Sequence, residues 1–257
     1  MDEAGPAFSN VYDDDARASA YAALEYPGTY YLAFRDLPAI IAAHVSGREA
    51  LDFGCGAGLI VCAFARHVRH ATGIDISASM IRLARSADPA GAYHQVGDGD
   101  FGPLGDRRFD LVLSAFAFDN IPGAERRRDL LRGLGGLLAP GGRIVLLGST
   151  PEIYWHEWAS FTTRDFPENR AAKSGERVRI IMKDVTDRRP VVDCIWFPED
   201  YLATFSAASL RLLAQHRPLG RGDEGREWIS ETTVAPWVIY VLERAPVFKQ
   251  ASRSRHT

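Results

Sequence analysis

The residues best suited to chemistry are carboxylates set against glycines. Asp52 stands two residues before Gly54, which opens the run Gly54-Cys55-Gly56-Ala57-Gly58. An apolar stretch, Ala50-Leu51 with Phe53, ends abruptly at these glycines, and a helical spacing of Leu59, Val61, Phe64 and Val68 follows at once. Strand, glycine turn and helix open a nucleotide-binding α/β unit. Lacking Cβ atoms, such a turn bends sharply and lets a ligand lie against bare backbone. The next apolar run ends in Gly73-Ile74-Asp75-Ile76-Ser77. An acid about twenty residues beyond the turn sits where a ribose hydroxyl pair would be bound. Because position 59 is Leu, the third glycine falls one residue early for the dinucleotide pattern Gly-x-Gly-x-x-Gly.

The elements needed to position these groups are legible as an alternating pattern. Strands are expected near 49–53, 71–75, 92–96, 109–114 and 143–149, with helices near 57–69, 78–87 and 124–138. That order argues for a parallel sheet covered on both faces. Ser77 reads as a helix cap and Pro140-Gly141-Gly142 as the turn into the fifth strand. Ahead of this unit, Asp13-Asp14-Asp15 starts a helix running to Glu25, Pro27-Gly28 breaks it, and a further helix follows over 39–45. Behind it, residues 150–177 are rich in aromatics and turn formers. Two strand-like runs, 178–184 and 191–197, then suggest a β-hairpin. A helix over 199–208 and strands at 210–216 and 234–244 return to the main sheet.

The chain has 257 residues and a formal charge of −3, from 30 Lys+Arg against 33 Asp+Glu. This length suits one α/β domain with a subdomain. The charge offers no reason to expect a nucleic-acid partner. Cys55, Cys62 and Cys194 have no metal-ligand spacing and fit reduced thiols of a cytoplasmic protein. No apolar run approaches the length of a membrane span.

The sequence resembles the class I S-adenosylmethionine-dependent methyltransferases. Five motifs carry the likeness in order: Leu51-Asp52-Phe53-Gly54-Cys55-Gly56-Ala57-Gly58, Gly73-Ile74-Asp75-Ile76-Ser77 with Met80, Gly97-Asp98-Gly99-Asp100, Phe109-Asp110-Leu111-Val112-Leu113-Ser114, and Leu138-Ala139-Pro140-Gly141-Gly142-Arg143. The resemblance implies a doubly wound, seven-stranded, mostly parallel Rossmann-like sheet. It divides the chain into an N-terminal helical arm or lid (1–45), a cofactor-binding domain (46–149 and 198–245), an inserted cap after strand five (150–197) and a disordered tail (246–257).

By the same resemblance, S-adenosylmethionine is the cofactor. Gly54, Cys55 and Gly56 would pass along its methionine part, with Asp52 near the amino group and Asp75 on the ribose. Ile76 and Met80 would pack on the adenine, and Asp98 with Gly99 would meet the edge of that ring. Ser114 would lie beside the sulfonium. Tyr30 would close over the site, and Arg35 would pair with the cofactor carboxylate or serve a structural salt bridge. Asp119, His156 and Tyr21 are the candidates for acting on the acceptor. Asp119 has an N-cap role as its alternative, His156 a packing role, and the tyrosines ordinary aromatic packing. No Asp/Glu/His cluster suggests a metal.

The region after strand four lacks the Asn/Asp-Pro-Pro-aromatic signature of nucleobase methylation. The aromatic cap implies a small, largely apolar acceptor, such as a secondary metabolite or lipid-like ring, with methylation of an alkene or prenyl carbon as a bolder variant. The competing functions are a catalytically inactive cofactor-binding module and an NAD(P)-dependent oxidoreductase, the latter disfavoured by Gly58-Leu59. Homo-oligomerisation stays open.

Overall fold

A computed structural model describes residues 28–58 and 70–246. Tyr21, Cys62, the helix expected over 13–25, most of that over 57–69 and the tail from 247 lie outside the described residues.

The central strands are the apolar runs read from sequence. They are β1 (Glu49–Phe53), β2 (His70–Asp75), β3 (Ala92–Gln95), β4 (Phe109–Ala115) and β5 (Leu138–Ser149). Six of the seven residues of β4 are buried, as befits a strand covered on both faces. With β9 (Leu210–His216) and β10 (Trp237–Arg244) they form a seven-stranded sheet in the order β3-β2-β1-β4-β5-β10-β9. The first five strands pair in parallel, and β10 runs antiparallel to both β5 and β9. Strand order reverses between β1 and β4, which places a crevice at their carboxyl ends.

Alternation splits the core in two. Leu111, Leu113 and Ala115 share one face with Val145, Leu147, Ile239 and Val241, beneath α1 (Thr29–Arg35) and α2 (Leu37–His44). Val112, Ile144, Leu146, Val238 and Leu242 point to the other face, against α4 (Ala124–Gly136) and α5 (Pro198–Ala207). The remaining helix, α3 (Ala78–Ala87), starts where expected: the Ser77 hydroxyl accepts the Met80 N–H at 3.3 Å.

Three details differ from the sequence reading. Pro140-Gly141-Gly142 does not precede the fifth strand but interrupts it. Leu138 pairs with Phe109, and Arg143 resumes opposite Leu111. Gly141 takes φ +79°, and a Cβ on Gly142 would sit 2.7 Å from the Phe109 carbonyl oxygen, so a glycine bulge is the only comfortable solution. Secondly, the segment 29–35 forms α1, and α2 begins at Leu37 with Pro38 inside its first turn, where a missing N–H costs nothing. Thirdly, the hairpin of β7 (Arg177–Met182) and β8 (Val191–Cys194) gains a third strand, β6 (Phe161–Thr162).

Asp110, inside β4, serves the sheet. Its carboxylate accepts the Glu49 N–H at 3.0 Å and so pins the start of β1.

Candidate active site

The glycine turn folds as its spacing requires. Gly54, Gly56 and Gly58 all have positive φ, at 71°, 52° and 79°. The Gly54 and Cys55 N–H groups donate to the Ile74 carbonyl at 2.9 and 3.0 Å, tying the turn to β2. A Cβ on Gly54 would lie 2.2 Å from that of Ala117, so the loops after β1 and β4 meet here. Asp75 holds the turn from the other side. Its Oδ2 accepts the Gly56 N–H at 2.9 Å, and its Oδ1 accepts the Ser77 N–H at 2.8 Å.

Asp52 is 4 % exposed, and neither of its carboxyl oxygens has a hydrogen-bond partner. The Ser114 hydroxyl on neighbouring β4 is also buried and unpartnered. Burial, then the charge of Asp75, pushes Asp52 up to about 7. Burial also pushes the Cys55 thiol well up, so that group is a packing thiol rather than a nucleophile. Orphaned buried acceptors beside bare backbone fit a ligand that brings an ammonium donor. S-adenosylmethionine carries one.

Asp52 makes a pH-dependent prediction. The folded pKa lies above the unfolded value of 3.8. The stabilising effect of a neutral Asp52 is therefore full below pH 4 and lost as pH rises through 7. Asp52→Asn should leave stability unchanged at low pH but raise it above neutrality, by about 4 kcal/mol or roughly 10 °C in melting temperature. Thermal melts of the cofactor-free protein across this range check it.

Met80 is buried behind the turn, with its sulfur 3.9 Å from where a Gly56 Cβ would lie. Ile76 is half-buried against the core on the α4 face. Asp98, on the loop after β3, forms an ion pair with Arg126 at 2.6 Å. Gly99 takes φ +70° in the same loop.

Other expected site residues move elsewhere. The Arg35 guanidinium is taken by Asp36, at 2.9 and 2.7 Å, by Glu224 at 2.6 Å and by the Leu219 carbonyl at 3.0 Å. It serves the structural alternative. His156 packs edge-on to Trp158 with centroids 6.0 Å apart and is not among the residues lining the aromatic cavity described below. Aromatic density in the sequence drew attention to residues 150–177 but could not say which side this imidazole takes. Tyr30 is buried and lines an aromatic cavity.

That cavity sits between the carboxyl ends of β4 and β5 and the three-stranded sheet, and holds about 520 Å³ of empty space including its opening. Tyr30, Phe116, Phe161 and Trp237 form an aromatic wall. Tyr30 stacks on Trp237 at 5.7 Å, and Phe116 meets Trp237 at 4.7 Å. Ile153, Ile180, Met182 and Val191 add aliphatic surface. Phe116 has φ +58°, a conformation costing about 1–3 kcal/mol, and such strain concentrates where a side chain must be aimed. No residue type advertises it, so sequence reasoning passed Phe116 over.

Asp119 also lines the cavity. Its Oδ2 accepts the Ser149 N–H at 2.6 Å, and its Oδ1 accepts the Tyr201 hydroxyl at 3.0 Å. Burial raises its pKa, opposed by those bonds and by the charge of Arg127. Arg127 is wholly buried on α4, its guanidinium 4.2–4.6 Å from the ring centres of Trp196, Phe118 and Tyr201. It donates to the Phe118 carbonyl at 2.9 Å and so braces the loop that carries Asp119. Asp193 and Tyr154 complete the polar lining, the Tyr154 hydroxyl donating to Asp193 Oδ2 at 3.2 Å.

Among the described residues, no cluster of potential metal ligands occurs, and no helix is long and apolar enough to cross a membrane.

Comparison with known proteins agrees with this geometry. Residues 51–146 match the family model of a methyltransferase domain. The N-demethylindolmycin N-methyltransferase of Streptomyces griseus is 28 % identical over 218 residues, covering 82 % of this chain and 89 % of that protein. The CcbJ methyltransferase of Streptomyces caelestis superimposes with a TM-score of 0.64 at 18 % identity, over 93 % of this chain and 100 % of the other. The S-adenosylmethionine-bound amino pentose methyltransferase CalS10 of Micromonospora echinaspora gives 0.56 at 21 %, over 93 % and 98 %. These are methyltransferases and not oxidoreductases, and the seven-stranded fold agrees with them. Residues 51–146 form a methyltransferase domain, and the relatives and solved structures together support a class I S-adenosylmethionine-dependent methyltransferase.

Proposed function

We propose that the protein methylates a small, largely apolar organic acceptor, of secondary-metabolite or lipid-like character, held in the aromatic cavity under a cap formed by residues 150–197. The observation that carries this reading is the meeting of two sites. The glycine turn and the loop bearing Phe116 touch at Gly54 and Ala117, so a ligand on the turn and one in the cavity would share a boundary. The relative from Streptomyces griseus is named for methylation of N-demethylindolmycin, which supports an acceptor of this scale.

When bound, S-adenosylmethionine supplies an activated methyl on a sulfonium. This chain's residues then have to bind and align. Gly54, Cys55, Gly56 and Asp52 would hold the methionine end, Asp75 the ribose, and Met80, Ile76, Asp98 and Gly99 the adenine side. Ser114 and Phe116, at the end of β4, stand at the boundary with the acceptor. Alignment of reactants held this way can supply much of the rate. Aromatic faces favour positive charge nearby. Asp119 is the carboxylate we assign to the acceptor, with Tyr201 and the Ser149 N–H fixing its orientation. Tyr30 closes the cavity from α1.

One observation favours carbon methylation as a second reading: four rings, Tyr30, Phe116, Phe161 and Trp237, could shelter a carbocation. Product analysis separates the two. The purified protein, incubated with S-adenosylmethionine and an acceptor panel spanning amines, phenols and prenyl alkenes, should yield a singly methylated product of an apolar acceptor. Fragmentation locates the new methyl. Turnover confined to large polar or polymeric acceptors would refute the reading.

A further inference from the structure

The polar groups of the acceptor cavity are one-sided. Among the described residues, its lining holds Asp119, Asn120, Ser149, Asp193 and two tyrosines, and no lysine, arginine or histidine. Two acceptor oxygens there are left over. Asn120 donates its amide to the Phe116 carbonyl at 3.4 Å, while its Oδ1 is buried without a partner. Asp193 accepts the Tyr154 hydroxyl on Oδ2 alone. A neutral ether or alkene would leave these oxygens desolvated and unsatisfied, at a cost of about 1–3 kcal/mol each. A group rich in N–H and positively charged would satisfy both, and the aromatic wall would stabilise its charge.

Resting on the reading of this cavity as the acceptor site, we propose that the acceptor carries a basic nitrogen, that Asp193 binds it as the ammonium, and that this nitrogen is the atom methylated. A protonated amine has no lone pair, so its proton must first leave. Burial and the nearby Asp119 hold Asp193 up at about 7, high enough for it to take that proton close to neutrality. The freed lone pair then forms the new N–C bond while the S–C bond breaks, its electron pair remaining on sulfur as a thioether. The methylated ammonium passes its own proton to solvent or back through a pocket carboxylate.

Matched amines and alcohols test this without turnover. With the protein saturated by S-adenosylhomocysteine at about pH 8, where alkylamines are protonated, calorimetry compares 3-phenylpropylamine with 3-phenylpropanol and tryptamine with tryptophol. Each amine should bind about tenfold more tightly than its alcohol. Asp193→Asn should erase the preference while leaving affinity for S-adenosylhomocysteine unchanged. Equal binding of amine and alcohol by the native protein, or a preference that survives in Asp193→Asn, overturns the assignment and leaves the cavity reading intact. If S-adenosylhomocysteine binds but neither amines nor alcohols do, the cavity reading and the inference fall together. The native amine-to-alcohol ratio decides the question even if the variant does not fold.

Discussion

Asp75→Ala is expected to weaken S-adenosylhomocysteine binding by about 100-fold while the protein stays folded. Two effects combine. The carboxylate assigned to the ribose diol is lost, removing charge-assisted hydrogen bonds of about 1.5–3 kcal/mol each. The Gly56 and Ser77 N–H groups also lose their acceptor, so the turn that must lie against the ligand is no longer pinned to β2. Asp75→Asn separates the two. Its one carbonyl oxygen can still hold a single N–H, so its affinity should fall between those of the native protein and the alanine variant. Calorimetric titration provides the measurement, and native-like affinity in Asp75→Ala would defeat the assignment.

The second large effect concerns Glu231, which sequence gave no reason to single out. It is wholly buried and accepts four hydrogen bonds. Oε1 takes the Thr29 hydroxyl at 2.6 Å and the Ala159 N–H at 2.7 Å. Oε2 takes the Ile229 and Ser230 N–H groups at 2.8 and 3.1 Å. Thr29 and Ser160 exchange two further bonds, at 2.9 and 3.0 Å, and the Trp237 indole donates to the Thr29 carbonyl at 2.8 Å. One carboxylate thus joins the start of α1, the cap and the segment leading into β10. Glu231→Ala strands four donors and should destabilise the protein by about 3–5 kcal/mol. Glu231→Gln keeps the shape but turns an amide toward N–H donors, and should fall between. Because Tyr30 follows Thr29 directly, binding in the aromatic cavity should weaken in the Gln variant more than S-adenosylhomocysteine binding does. Urea denaturation and paired titrations check both statements. A variant as stable as the native protein would show that the clasp contributes little.

Much of the cofactor side was legible in the chain itself. A positive φ at Gly54 and a close approach of Ala117 demand glycine, so that residue marks its own turn. Parallel strands buried on both faces must be continuous apolar runs, which is why β1, β2 and β4 appeared near their observed bounds. The place of Asp75 at the end of β2, against the glycine turn, was readable because it is set by local geometry and chain distance. Such features depend on neighbours in sequence.

The aromatic cavity was not legible, since its groups come together across long separations. Asp193 on β8, Asn120 after β4 and Tyr30 on α1 converge only when the cap folds onto the sheet. Whether His156 faced the cavity or Trp158 depended on that same packing. So did the partners of Arg35, which a neighbour at 36 and a distant acid at 224 compete to supply. The sequence by itself determined the sheet, its glycine turn and the acids beside it, because backbone sterics and alternating burial are written residue by residue. Only the tertiary structure decided which carboxylates share the aromatic cavity and which charges are already neutralised, because burial and pairing belong to surfaces that meet, not to the order of the chain.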